Sequence, residues 1–314
     1  MAFLALAPRA IRSTFAVAGS LAAVLAATGC IDIVSADFNK VVERDEKRFA
    51  TGASPDLNLS TFDGSIEIRA WDRPEVEVII EKHAVSKEAA ALIEVHADQQ
   101  DNKITVDVKT QKSGGFIHFN NSRSAKLIVS APAGSNVMAK SGDGSIDVER
   151  MAGHLDLRTG DGSIRGRRLS GDVRAHTGDG SIKLEGVTGA LDVDTGDGSV
   201  AVSGKMTRVR ARTGDGSVSV HADTGSVAEG DWDITTGDGS VTLELPDGFN
   251  AELDAHTGDG GIRLNDVTVS NVSGKIGKNN IRGRLGSGGA NIRLRTGDGS
   301  ITLRRALSAE ASGT

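Results

Sequence analysis

The sequence predicts an all-β chain, folded as a single-stranded parallel β-helix (a β-solenoid) with coils of about 18 residues and an irregular N-terminal portion. Three observations carry this expectation. The first is a repeat: Thr177-Gly178-Asp179-Gly180-Ser181-Ile182 has near-copies starting at Ser141, Thr159, Thr195, Thr213, Thr236, Thr257 and Thr296. Its Asp falls at 143, 161, 179, 197 and 215, a constant step of 18, and then at 238, 259 and 298. Gly277-Lys278-Asn279-Asn280-Ile281 reads as a decayed copy inside the last gap, and Phe62-Asp63-Gly64-Ser65-Ile66 as an early relic. The second observation is alternation within each repeat. Ile182/Leu184 and Leu191/Val193 are apolar two apart, as are Ile146/Val148 with Leu155/Leu157 and Val200/Val202 with Val209/Ala211, the pattern of strands with one buried face. The third is that nothing between 141 and 305 follows a helical period. One such repeat cannot bury its own apolar side, so copies must stack. A meander of hairpins uses the same Asp-Gly turns, but identical residues at a fixed period favour vertical stacking.

Residues 1–29 read as a lipoprotein signal peptide: Arg9 and Arg12 precede an uncharged apolar run, Ala16 to Ala27, too short to span a bilayer stably. The run ends Leu25-Ala26-Ala27-Thr28-Gly29-Cys30, which resembles a bacterial lipobox with Ala27 where Leu, Val or Ile is usual. The resemblance implies that Cys30, the single Cys of the chain, carries the lipid, and a lone Cys excludes an internal disulfide framework. Residues 30–47 mix Asp, Glu, Lys and Asn without periodicity and read as a tether. Residues 48–140 keep strand chemistry at Leu57-Asn58-Leu59, Val76 to Ile80, Ile104 to Val108 and Ala125 to Val129. They are expected to form irregular coils and a cap, since terminal repeats must cover open strand edges. Ser86 to Ile93, with Ser86 as N-cap, is the one expected helix. Gln111 to Asn121 reads as a surface loop, residues 141–305 as the regular solenoid and residues 306–314 as a disordered tail. The length predicts roughly twelve to fifteen coils.

The Gly-Asp-Gly-Ser-Ile/Val strand starts recur with two Pro-containing entries into coils, Val129-Ser130-Ala131-Pro132-Ala133-Gly134 and Leu243-Glu244-Leu245-Pro246-Asp247-Gly248. With these features the chain resembles the bacterial putative-adhesin family of envelope β-solenoid proteins over about Phe49 to Leu303. The resemblance implies an exported or membrane-attached right-handed parallel β-helix and supplies no catalytic residues.

The residues themselves give little chemistry. Asp194-Thr195-Gly196 and Asp223-Thr224-Gly225 match the tripeptide of aspartic proteases but lie too close in sequence for two lobes, and turn formation explains both. His83, His96, His118, His154, His176, His221 and His256 lack metal-ligand spacing. A polysaccharide-active β-helix enzyme would present exposed aromatics; this chain has no Tyr, and beyond residue 140 only Trp232, at an inward strand position, and Phe249 are aromatic. The column Asp143, Asp161, Asp179, Asp197, Asp215, Asp238, Asp259 and Asp298 reads as structural turn carboxylates accepting backbone N–H groups, with Gly where φ > 0 is needed. Calcium at this column, as in a β-roll, is the lesser alternative: one turn per coil carries the Asp and the β-roll nonapeptide is absent. The net charge of −6 is interspersed and gives no nucleic-acid footprint. The expected function is a non-enzymatic, cofactor-free cell-envelope lipoprotein, an adhesin-like or structural rod held at the outer membrane or cell surface, with a protein or glycan ligand. The alternative is a periplasmic envelope-stress-linked scaffold.

Overall fold

The computed structural model describes residues 32–33, 41–111, 123–273 and 279–306. Cys30, the signal segment, His118, most of the expected loop 111–121 and the tail beyond Ala306 lie outside these residues. The chain is all-β: among the described residues 24 strands join one mixed sheet, accompanied by the short helix Lys87–Ala91. That helix is capped as expected, with the Ser86 hydroxyl accepting from the Ala89 N–H at 3.2 Å, and it buries Ala89 and Ala90 beside Ala84.

Each repeat supplies two strands. Those following the Gly-Asp-Gly-Ser turn form a first parallel ladder with the apolar positions in register, Ile146↔Ile164, Ile164↔Ile182, Ile182↔Val200, Val200↔Val218 and Val218↔Val241. Those preceding the turn form a second, Val137↔Leu155, Leu155↔Val173, Val173↔Leu191 and Leu191↔Val209. The inward residues of both ladders belong to one continuous core. Burying Ile182, Leu184, Leu191 and Val193 contributes roughly 1.5–3 kcal/mol each, whereas ordering a coil's backbone costs roughly 1–2 kcal/mol per residue. A lone coil therefore does not hold, and stacking is obligatory. In Ile182–Thr195 the chain bends from one ladder to the other without leaving strand geometry, through a register shift after Leu184 and positive φ at Gly186 and Gly189.

The ladders do not follow chain order at their ends. The strand Ile66–Trp71 lies between Ser124–Pro132 and Ile146–Glu149, and Asp56–Thr61 lies between Lys103–Thr110 and Asn136–Ser141. At the other end, Ile301–Arg305 sits between Val241–Leu245 and Ile262–Asn265, and Asn291–Thr296 between Trp232–Thr236 and Ala251–Thr257. The first and last coils of the chain are thus each second from the end in space. Outside them, antiparallel strands cover three of the four ladder ends: Glu75–Ala84 against Ser124–Pro132, Ile93–Gln100 against Lys103–Thr110, and Asn280–Leu285 against Ala251–Thr257.

Three expectations are corrected. The tether expected over 30–47 runs into the strand Val41–Ala50, which pairs along its whole length with Glu75–Ala84. The decayed copy at 277–281 is not a rung of the parallel ladders: Asn280 and Ile281 belong to an antiparallel strand, with Ile281 opposite Ala255, and this segment lacks the Gly-Asp-Gly that stacked turns need. The first ladder runs through Leu127, Ile66, Ile146, Ile164, Ile182, Val200, Val218, Val241, Ile301 and Ile262, ten rungs rather than twelve to fifteen. Among the described residues, much of the chain outside these rungs forms antiparallel strands at the ends.

Candidate functional site

The repeated turn places its Thr at the last inward position of a strand, buried at the core's edge. The Thr177 hydroxyl donates to the Gly162 carbonyl of the preceding coil at 2.8 Å and accepts from the Gly180 N–H of its own turn at 3.3 Å. The bond to the neighbouring turn recurs at Thr159, Thr195, Thr213, Thr236, Thr257 and Thr296, at 2.6–2.8 Å. Ser141 makes the equivalent bond to Gly64 at 2.8 Å, so the relic at Asp63 is a true member of the stack. Backbones of successive turns bond directly, Gly160 N–H to the Gly142 carbonyl and Gly178 N–H to the Gly160 carbonyl, both at 2.5 Å.

This close approach, and not backbone conformation, explains the motif glycines. Among them only Gly64 of the relic has positive φ. A Cβ on Gly162 would lie 2.2 Å from the Gly144 carbonyl oxygen, and one on Gly180 would lie 2.0 Å from that of Gly162. The sequence reading placed these glycines for φ > 0. The structure requires them because a side chain would occupy the space of the neighbouring backbone.

The eight carboxylates expected in one column, Asp143, Asp161, Asp179, Asp197, Asp215, Asp238, Asp259 and Asp298, sit one per turn along this edge, all exposed. Their spatial order differs from chain order, because Thr296 bonds the turn of Asp238 and Thr257 bonds the turn of Asp298. Among the described residues none of the eight accepts a hydrogen bond from its own turn. The turn is held by the Thr hydroxyl and the Gly ladder instead, and solvent screens the carboxylates. Asp63, at the partly covered end, differs: burial and then the neighbouring Asp143 carboxylate push its carboxyl above the usual range. Among the described residues no group of three or more His, Cys, Asp or Glu is placed to hold a metal ion.

The outward faces carry a pattern that the repeat does not announce. Along the second ladder from Asp156 onward the facing residues are Asp156, Arg174, Asp192, Arg210, Asp233, Arg293, Asp254 and Arg282, alternating in sign. Arg212 reaches Asp233 at 2.6 Å, and Asp254 takes Arg295 at 2.7 Å and Arg282 at 3.2 Å. Partial burial alone would raise the Asp233 and Asp254 carboxyls; their arginine partners outweigh it and hold both below the usual range. On the first ladder Glu244 is lowered the same way, with burial overcome by Arg304 and His221. His221 lies 2.9 Å from Glu244 and 3.3 Å from Asp223, while Asp194 faces His176 at 3.2 Å. The two Asp-Thr-Gly carboxylates are therefore each paired with a histidine and lie apart, Asp194 in the strand Ile182–Thr195 and Asp223 just past the strand Val218–Ala222. Trp232 is fully buried and meets Phe249 edge-on at 5.2 Å, the inward place that alternation predicts. A recess of about 300 Å³ lies beside exposed Met138, with Leu57, Val137, His154 and Asp156 in its wall.

Residues 55–304 match the family model described as Toastrack DUF4097. Among solved structures, the chain is similar to a putative adhesin from Bacteroides fragilis at 13% identity and a TM-score of 0.46, covering 84% of this chain and 97% of that one. A putative lipid binding protein from Parabacteroides distasonis has 12% identity and a TM-score of 0.40, covering 84% and 97%. A putative cell adhesion protein from Clostridium sporogenes has 13% identity and a TM-score of 0.26, covering 84% and 100%. No curated protein sequence matches the chain.

Proposed function

From the premise that the chain belongs to the Toastrack DUF4097 family, we propose that it is a non-enzymatic rod of the cell envelope, anchored by lipid on Cys30. In this reading the ladders form a β-solenoid with a coil of about 18 residues, and the rod presents its outward rows to a protein or glycan partner. The observation that carries it is the register: each coil repeats the one beneath it through one aliphatic core. Such a stack is stiff along its axis and leaves mixed polar rows as its accessible chemistry. The aligned carboxylates are solvent-exposed turn residues, which supports a structural role for them over acid–base work. Several acyl chains, at about 0.8 kcal/mol per buried methylene, make a stable tether. Ile31 rather than Asp after Cys30 favours delivery to the outer membrane.

Two measurements test this. A labelled fatty acid should enter the wild type and not Cys30→Ser; no label in the wild type removes the anchor. Protease added to intact cells should shorten the protein if it works as a surface adhesin. Complete protection, with cleavage only after the outer membrane is opened, would replace the adhesin by a periplasmic scaffold.

A further inference from the structure

The three C-terminal copies of the turn share the same Thr-Gly-Asp-Gly, yet the chain stacks them out of order. Thr296 donates to the Gly239 carbonyl and Thr257 to that of Gly299, both at 2.7 Å. In an in-order stack Thr257 would meet Gly239, and Thr296 would meet Gly260, through the same bonds. The inward residues barely discriminate either: Val241, Ile301 and Ile262 share one column, and Leu243, Leu303 and Leu264 the next. The outward residues do discriminate. In the observed order Arg293 lies between Asp233 and Asp254, and Arg304 lies against Glu244. Stacked in order, Asp254 would face Asp233, two like charges at strand spacing, and Glu244 would face Asn265 and lose Arg304. An independent feature agrees. Along the Ser column the hydroxyl can accept from the backbone N–H of the next turn, Ser181 from Ser199, Ser217 from Ser240 and Ser240 from Ser300. The copy with Gly261 in place of Ser is the last turn of the column in space, where no further turn needs the acceptor.

We propose that Arg293, held between Asp233 and Asp254, and Arg304, held against Glu244, form a charge key. The key selects the out-of-order stack and so locks the last coil behind the one that precedes it in the chain. Arg295 binds the same coil through two bonds of 2.7 Å, to the Asp254 carboxylate and to its backbone carbonyl, but these two strands are neighbours in either order, so it joins them without choosing between the orders. Asp254→Arg reverses the key: the new guanidinium would face Arg293 and Arg295 in either order, but it would also face Arg282 in the observed order and Asp233 in the in-order stack.

The test is a cross-linking register in full-length protein carrying Cys30→Ser. Adjacent rungs lie about 4.8 Å apart, within disulfide reach, and rungs two apart lie about 9.6 Å apart, beyond it. Ser240→Cys with Ser300→Cys should therefore oxidise readily, and Ser240→Cys with Gly261→Cys should not. Adding Asp254→Arg should lower the ratio of the first product to the second by about a hundredfold, from reversal of several charge pairs near 5 Å in water. Asp254→Asn, which keeps the side chain's shape, should move the ratio part of the way. An unchanged ratio in folded Asp254→Arg overturns the key, and if that variant does not fold, an unchanged ratio in Asp254→Asn does so. Efficient linkage of 240 to 261 without any change at 254 would overturn the stacking order itself.

Discussion

Replacing Thr177 by Val tests what holds the coils together. The site is fully buried, and on hydrophobic grounds Val should be neutral or better there. The structure predicts the opposite. Val keeps the β-branched shape but leaves the buried Gly162 carbonyl and the Gly180 N–H without their hydroxyl partner. Each stranded group costs about 1–3 kcal/mol, so the pair should cost about 2–6 kcal/mol. Thr177→Ser retains the hydroxyl and gives up one methyl, for about 1 kcal/mol. In a domain of this size the Val variant should melt roughly 5–15 °C below wild type, and Ser should lie between them. Circular dichroism melts of all three give the ranking. Amide hydrogen exchange over Ile182–Thr195 shows whether the loss is centred on the turn. A Val variant as stable as wild type, or more stable than Ser, would refute the reasoning, because the Thr column would then be ordinary packing.

Three further outcomes follow from the same geometry. Gly180→Ala should destabilise by about 1–3 kcal/mol or more, since its Cβ meets backbone at 2.0 Å, whereas Gly248→Ala, with open space around it but φ of +73°, should cost only about 1 kcal/mol in a urea titration. Asp161→Asn should be within about 0.5 kcal/mol of neutral, and wild-type melting should be unmoved by chelator or by millimolar calcium; a calcium-dependent rise of many degrees would reinstate a metal at the Asp column. The carboxyls of Asp233, Glu244 and Asp254 titrate below their unfolded range, so the stability they contribute is present above the unfolded carboxylate pKa of about 4 and is lost as pH falls through the folded values. Melting should therefore drop on acidification below that pH, and Asp254→Asn should flatten the drop; an equally steep loss in the variant would show that acid acts elsewhere.

The body of the fold was legible because its code is local. Ile182, Leu184, Leu191 and Val193 alternate within one repeat, and the step from Asp161 to Asp179 brings like onto like. The edge strand Val41–Ala50 was not legible, since its residues are half-buried or exposed on both faces and so leave no alternation to read. The turn glycines were found in sequence but for the wrong reason: positive φ is a property of one residue, while the clash that excludes a side chain at Gly180 involves Gly162, 18 positions earlier. The charge alternation was hidden for a related cause. Read along the chain, Asp233 is followed on its face by Asp254, and only the spatial order puts Arg293 between them.

The placement of the first and last coils second from the ends bears on how the chain must be made. In an ordinary repeat stack each coil needs only its neighbours in sequence, so coils can close as they emerge. Here Ile66 waits for Leu127 and Ile146, and Trp232 for Ile292, so neither end closes until a long stretch of later chain has arrived. Contacts this distant in sequence slow closure. A chain crossing a membrane N-terminus first would therefore remain open at its leading end well into translocation. A chain truncated before Asn291 would lack the coil that the trailing end is built around, leaving its unpaired strands exposed to proteolysis. The topology thus distinguishes finished chains from unfinished ones.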